Sequence, residues 1–280
     1  LIIALKDVDN NYFFDPFYDK IGFIDSLITL PRDSIIDFKL FKEETALIWD
    51  KPHFINSEKI GFGYYGKLDI KNIEIESSIP DSIQYTFTKE DEKDTLNFWL
   101  SRNSFDSLNF NLIEKDTVKL VTVKFDRARD TLIDSLSISP KTTNVIHLKE
   151  TFKLSSNIPV TNIKDSLITI RDIDSLVVPF TTSINDNLDE IDIKFEVSPS
   201  DNYRIFILPE SIKDIKGVVN DTLEYSVVSQ TIEDYGNVYL DVIRNNESEF
   251  ILHMINNNGD IIREFNNVSQ NSTYNFEYIR

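Results

Sequence analysis

The run Ile191-Asp192-Ile193-Lys194-Phe195-Glu196-Val197 alternates apolar and charged side chains without a break. Successive side chains of a strand point to opposite faces, so this alternation is the pattern of a strand with one face on a core and the other in water. The same pattern spreads outward from it. Upstream, Phe152-Lys-Leu154, Ile168-Thr-Ile170 and Leu176-Val-Val-Pro-Phe180 read as strands; downstream, Tyr203-Arg-Ile205-Phe-Ile207 and Leu223-Glu-Tyr225-Ser-Val227 do. Between the last two, Pro209 to Gly217 reads as one short helical turn ended by the glycine. Further upstream, Lys59 to Tyr65, Ile73 to Ile75, Ile83 to Phe87, Leu96 to Leu100, Leu108 to Leu112 and Val118 to Phe125 recur with polar turns between them. Strands spaced about every 8–12 residues are the signature of a β-sandwich.

Composition agrees. Of 280 residues, 41% are hydrophobic and 12% aromatic, with 20 Phe and 11 Tyr, while alanine is nearly absent. That favours strands and polar turns over helices. A net charge of −18 leaves no basic face to neutralise phosphates, which excludes nucleic acid as a partner and argues against an anionic membrane surface. There is no cysteine, so disulfides, thiol catalysis and cysteine-ligated zinc are excluded while the compartment stays open. No apolar run approaches the ~20 residues of a membrane span.

The length suits several domains. Strands at Gly22–Ile24, Leu27–Leu30 and Ile35–Leu40 are too few for a sandwich of their own, so residues 1–43 read as the second half of one. Residues 44–133 form a complete sandwich and 134–232 another. A break at Asp234-Tyr235-Gly236 precedes 233–280, the front half of a fourth, with a hairpin turn at Asn257-Asn258-Gly259-Asp260. The chain is therefore expected to be all-β, with its first and last units truncated.

The one stretch whose spacing suggests a specific chemistry is Asp7-Val-Asp9-Asn-Asn11-Tyr-Phe-Phe-Asp15-Pro-Phe-Tyr-Asp19. Calcium takes about 6–8 oxygen ligands, and a short loop can wrap it with ligands at positions 1, 3, 5, 7 and 9. Asp7, Asp9 and Asn11 occupy the first three, the Phe13 carbonyl the fourth and Asp15 the fifth. Tyr12 stands where a glycine is expected, Tyr18 stands where a closing carboxylate is expected, and Asp19 comes one residue late. Calcium is thus the expected cofactor, at the low affinity of extracellular modules. The alternative is an Asp/Asn-rich loop whose carboxylates face water. Without a metal, four carboxylates in one loop are expected to push one or more pKa values upward.

Catalysis finds little support. His53, His147 and His253 lie in different domains with no nucleophile signature beside them, and no phosphate-binding glycine loop or metalloprotease motif is present. The chain is expected not to be an enzyme. Aromatics crowd the acidic loop at Tyr12, Phe13, Phe14, Phe17 and Tyr18, and Trp49 with Phe54 is expected at a domain junction. Such rings serve as partner hot spots, as faces for sugar, or, more often, as packing.

Residues 136–232 resemble the bacterial Ig-like domains of S-layer (SbsA) type. The matching stretches are Phe152-Lys-Leu-Ser-Ser-Asn-Ile-Pro159, Ile168-Thr-Ile170, Asn202-Tyr-Arg-Ile205, and Pro209 to Gly217 followed by Asn220-Asp-Thr222. In that family a late hairpin carries an Asp-x-x-Gly turn, here Asp214 to Gly217. Leu1 to Phe23 resembles the second half of transthyretin-like sandwiches. The order as a whole resembles Ig-like lipoproteins of Bacteroidota-type envelopes. The resemblance implies an extracytoplasmic location, in the periplasm or at the outer-membrane surface, with protein partners in the envelope and membrane contact only through a lipid anchor outside this stretch. The triplet Asp-Ser/Thr-aliphatic, present eleven times, resembles the O-glycan acceptor motif of such proteins. The acceptors are Ser26, Ser34, Ser82, Thr95, Ser107, Thr117, Thr131, Ser135, Ser166, Ser175 and Thr222. The same triplet equally describes a turn followed by a strand. Asn246, Asn267 and Asn271 begin Asn-x-Ser/Thr sequons, which matter only in a eukaryotic secretory pathway. The expected role is a non-catalytic structural or protein-interaction module; the alternatives are a carbohydrate- or ligand-binding module using loop aromatics, or accessory domains of an upstream enzyme.

Overall fold

The computed structural model describes residues 2–24, 38–43, 45–90, 93–115, 117–126, 134–142, 144–242, 251–256, 259, 261–265 and 272–279. Among them the regular structure is strand throughout, apart from single 3-10 turns such as Ile70–Asn72 and Asp165–Leu167. No helix there is long and apolar enough to cross a membrane. The chain is all-β and built of tandem sandwiches.

The N-terminal hairpin pairs β1 (Ile2–Lys6) antiparallel with β2 (Lys20–Ile24), Ile2 facing Ile24, and the acidic loop is its connection. Ile21 exchanges both backbone hydrogen bonds with Phe41. Of the strand expected over 35–40, residues 38–40 are described and are not strand. The strand expected at 27–30 lies outside the described residues.

Next come β3 (Ile48–Trp49), β4 (His53–Asn56), β5 (Lys59–Tyr65), β6 (Ile73–Ile75), β7 (Tyr85–Glu90), β8 (Thr95–Leu100), β9 (Ser107–Glu114) and β10 (Thr117–Lys124). One sheet has the order β3-β5-β8-β7 with β4 also on β5; the facing sheet is β10-β9-β6. Period-2 alternation sends Ile60, Phe62, Phe98, Leu100, Leu108, Phe110 and Leu112 into one core. Phe110 meets Phe62 and Phe98 edge-on, with ring centres 4.9 and 5.3 Å away. Trp49 and Phe54, expected at a domain junction, are instead buried in this core, Trp49 against Phe62 and Phe54 against Phe125. The reason is register: Trp49 pairs across from Tyr64 on the inward face of β5.

The third unit comprises β11 (Ile138–Pro140), β12 (Val145–Ile146), β13 (Phe152–Ser156), β14 (Val160–Ile163), β15 (Ile168–Arg171), β16 (Phe180–Ile184), β17 (Glu190–Phe195), β18 (Asn202–Ile207), β19 (Ile212–Asp214) and β20 (Leu223–Ser229). Sheets β11-β13-β17-β16 and β12-β20-β18-β15 face one another, with a β14–β19 ribbon beside them. The decisive alternating run is β17, and its Ile191, Ile193 and Phe195 are buried with Phe152, Leu154, Ile170, Tyr203 and Ile205. Residues 209–217 are not a helical turn. Ile212 and Asp214 are both buried while Lys213 is exposed, so this stretch follows the strand period and pairs with β14. The turn after it has the Asp-x-x-Gly form: Asp214 Oδ1 accepts the Val218 N–H at 2.8 Å, and Gly217 takes φ +86°.

The remaining strands are β21 (Gly236–Val242), β22 (Leu252–Ile255), β23 (Ile261–Phe265) and β24 (Ser272–Ile279), pairing β21 with β24 and β22 with β23. Phe265 packs on Tyr274 and Phe276. Gly259, from the expected hairpin turn, has φ +89°; the other three residues of that turn lie outside the described set.

Gly66 ends β5 with φ +90°, and a Cβ there would lie 2.7 Å from the carbonyl oxygens of both Thr45 and Ala46. Gly66→Ala is expected to destabilise the second sandwich by on the order of 1–3 kcal/mol, read as a lowered denaturation midpoint.

Candidate functional site

The acidic loop is held by its own side chains. Asp7 accepts the N–H groups of Asn10 and Tyr12, each at 2.7 Å, and Asp9 accepts from the Asn11 backbone and side-chain amides. Asn11 Oδ1 accepts the Phe13 N–H at 2.6 Å, and Asp15 the Phe17 N–H at 2.9 Å. Asp19 is buried and spans the loop: its two oxygens accept the N–H groups of Val8 at 3.0 Å and Asp15 at 2.8 Å. Tyr12 adopts φ +65°, the left-handed conformation for which glycine is ordinarily used. The five side chains thus spend their oxygens on loop amides, and no group of three His, Cys, Asp or Glu is gathered for a metal among the described residues.

The expected upward pKa shift does not occur at Asp7. The Tyr12 N–H beside it holds its carboxyl below the usual range; partial desolvation opposes this, and Asp9 and the Asn10 and Asn11 amides add to the lowering. Oriented N–H donors outweigh carboxylate repulsion across an exposed loop because water screens the repulsion.

The loop's rings divide. Tyr12 and Phe13 are 89% and 77% exposed, whereas Phe17 and Tyr18 meet the Tyr65 ring of β5 edge-on at 5.7 and 5.8 Å.

The Asp-Ser/Thr triplets sit where turns enter strands. Thr95 opens β8, Ser107 opens β9 and Thr117 opens β10. Ser82, Ser107, Thr117, Ser135, Ser166, Ser175 and Thr222 are exposed, and Thr95 is half-buried with its hydroxyl donating to the Lys93 carbonyl. Ser26, Ser34 and Thr131 lie outside the described residues, as do Asn246, Asn267 and Asn271. The three histidines lie apart: His53 is exposed on β4, His147 Nδ1 is 3.0 Å from the Tyr235 hydroxyl, and His253 is 2.7 Å from Glu264.

A feature not singled out from the sequence lies between the second and third sandwiches. Trp99 of β8 is buried on the face opposite Phe98, against Ile158 and Ile215 with Leu136 beside them. The Ile215 N–H donates to the Pro159 carbonyl at 2.8 Å, which ties the two isoleucines together. Lys216, next in the Asp-x-x-Gly turn, pairs with Glu58 at 3.3 Å, their side chains only 7% and 15% exposed, and donates to the Asp134 carbonyl. Asn56 donates to Asp134 Oδ2 at 2.7 Å, and Asn187 Nδ2 donates to the Lys89 carbonyl at 2.8 Å. A polar cleft of about 610 Å³ opens beside this contact. A signal was present: Leu96-Asn-Phe-Trp-Leu100 carries large side chains on both faces, the mark of a strand covered twice.

No family model matches the sequence, and no curated protein matches it. Among solved structures it is similar to domains 4–9 of surface layer protein SbsC, at 8% identity and a TM-score of 0.26, over 84% of this chain. The chain spans 36% of that fragment's length. It is also similar to the I9–I11 tandem of titin, at 13% identity and a TM-score of 0.20, over 82% of this chain and 97% of that one.

Asp19→Ala strands the amides of Val8 and Asp15 and is expected to cost about 1–3 kcal/mol locally, seen as faster hydrogen exchange over residues 8–18. For Asp7 the sign follows from its lowered pKa: the loop contribution is present above the ordinary carboxylate value and lost as pH falls through the folded value. The Tyr12 amide signal in an NMR pH titration should therefore hold through the ordinary value of 3.8 and shift only below it.

Proposed function

We propose that this chain is a non-catalytic structural module of an extracytoplasmic, cell-envelope protein. It acts as a stiff spacer of four β units, divided at 1–43, 44–133, 134–232 and 233–280, with the sandwiches 44–133 and 134–232 at its centre, that presents loops to protein partners. The observation that carries this reading is the joint between the second and third sandwiches. Independent domains on a flexible tether keep their surfaces wet, and their contacts are ordinarily polar and slight. Here a tryptophan, two isoleucines and a nearly dry Lys216–Glu58 pair are buried between them. Side chains buried this way fix the angle between neighbours, which is what a spacer requires.

The acidic surface and the exposed Asp-Ser/Thr turns support a location outside the cytoplasm, where those hydroxyls are available as O-glycan acceptors. Tyr12 and Phe13, held out by a self-bonded loop, are the contact faces best placed for a protein partner.

A stiff joint predicts coupled unfolding. The second and third sandwiches should melt together in calorimetry, and Trp99→Ala should cost about 3–5 kcal/mol and split the transition. Small-angle scattering should show a wider spread of particle lengths in that variant. Lys216→Ala, which leaves Glu58 half of a buried pair, should act in the same direction by on the order of 3 kcal/mol. Two independent transitions in the unmodified chain, with scattering unchanged by Trp99→Ala, would rule the spacer out.

A further inference from the structure

The second sandwich leaves one long sheet edge open. A strand edge is a row of unpaired N–H and C=O groups, and proteins keep such edges short, covered or kinked. The other outer strands here follow that rule. β3, β4 and β6 are two, four and three residues long. The Asn187 side chain caps the edge of β7, accepting the Lys89 N–H and donating to the Lys89 carbonyl.

β10 (Thr117–Lys124) does not follow it. It is eight residues long, has no proline and keeps an unbroken register on β9. The Phe125 N–H donates to the Asp106 carbonyl in continuation of that register. Hydrogen-bonded pairs alternate along an antiparallel ladder, so the odd-numbered residues of β10 bond to β9. The N–H and C=O groups of Val118, Leu120 and Thr122 point the other way, where no strand of the described residues pairs with them. Their side chains lie on the outer face, because register sets Lys119, Val121 and Val123 opposite the buried Leu112, Phe110 and Leu108. There Val118 and Leu120 are 59% and 61% exposed. Toward Lys124 the sandwich closes, with Val123 buried and Phe125 packed on Phe54 of β4. The open length therefore runs from Thr117 to Thr122.

Charge decides what can lie there. β10 carries Lys119 and Lys124 and no carboxylate, a combination that no other described strand has in a chain of net charge −18. Lys115, in the turn before it, is exposed as well. None of the three has an ion pair among the described residues. Nearby carboxylates are turned elsewhere: Glu114 accepts the Trp49 N–H, and Glu76 accepts from Asn111 of β9. Glu74 lies across β9 on β6, and Asp106 and Asp126 lie past Lys124 at the closed end. A second copy of β10 would bring lysines against lysines, and like charges across paired strands repel. The lysines thus exclude self-pairing and admit an acidic strand.

We propose that the β10 edge takes an added strand from an acidic protein partner, an extended segment with a carboxylate opposite Lys119 and aliphatic side chains opposite Val118 and Leu120. Main-chain hydrogen bonds to Val118, Leu120 and Thr122 hold it, and the lysines select its charge. The edge belongs to the sheet that faces away from the Trp99 joint, so this contact stands or falls apart from the stiffness of the spacer.

The probe is the end-blocked peptide Glu-Thr-Val-Glu-Val-Thr-Glu, with a counterpart carrying lysine in place of each glutamate. Hydrogen exchange in the full chain, read by NMR, should show the amides of Val118, Leu120 and Thr122 slowed saturably by the glutamate peptide. The lysine peptide should bind at least about tenfold more weakly, since attraction becomes repulsion at each lysine. Leu120→Pro removes an outward N–H that β9 does not use, a position where an edge strand tolerates proline. It should weaken the glutamate peptide at least about fivefold while the second sandwich still melts cooperatively. Lys119→Glu combined with Lys124→Glu, both on the surface, should reverse the preference between the two peptides. The proposal is overturned by amides that neither peptide slows, by equal binding of the two peptides, or by a folded Leu120→Pro chain that binds as tightly as its parent. A preference left unchanged by the double variant overturns it too. So do concentration-dependent dimers of the unmodified chain that Leu120→Pro abolishes, which would make a second copy the occupant.

Discussion

A β-sheet carries two faces, and a sandwich core covers only one. In the second unit β8 (Thr95–Leu100) is buried on both: Leu96, Phe98 and Leu100 face its own core, while Asn97 and Trp99 face the neighbouring sandwich. Much of the arrangement follows from this double burial. A tryptophan on an outward face has to be covered, because its apolar area is large and its indole N–H needs a partner. Thr88 supplies the partner; Ile158 and Ile215 supply the cover.

The cover is delivered by irregular elements of the third unit. The β14–β19 ribbon stands apart from the two main sheets, and the turn that closes it, Asp214 to Gly217, brings Ile215 and Lys216 to the joint together. The buried Asp214 carboxylate is the local cost of that turn. Burial raises its pKa, while the Val218 N–H and nearby Lys216 oppose the shift. The polar ring around the apolar contact, Asn56 with Asp134 and Asn187 with Lys89, leaves the adjoining cleft open rather than filled.

The N-terminal loop shows the opposite solution. Its oxygens are engaged locally, by amides two to five residues away, and only Asp19 reaches across it. Its rigidity thus comes from within the loop. Phe17 and Tyr18, set on Tyr65, carry it onto the second sandwich and leave Tyr12 and Phe13 facing water.

The all-β class, most strands and the turns that open them were legible in the sequence, because period-2 alternation and Asp-Ser/Thr turns act over a few residues; Ile191 to Val197 and Thr95, Ser107 and Thr117 at strand starts show it. By contrast, 38–40 are not strand, the strand expected at 176–180 begins only at Phe180, and Ile212–Asp214 is strand where a helical turn was expected. Legibility failed where a residue's role depends on distant partners. Trp49 looked like a junction tryptophan and is core, whereas Trp99, which the sequence did not single out, lies at the junction. Both sit in apolar runs, and only strand register and the approach of a second domain separate them. The acidic ladder was legible as a loop of oxygen donors, but whether those oxygens converge or bend back onto backbone amides is set by φ values such as that of Tyr12. The sequence by itself determined that the chain is all-β, where the strictly alternating strands lie and which face of most of them is apolar. Tertiary structure decided which second faces are buried and which charged groups pair across the joint, as Lys216 does with Glu58, because burial and pairing are properties of groups far apart in the chain.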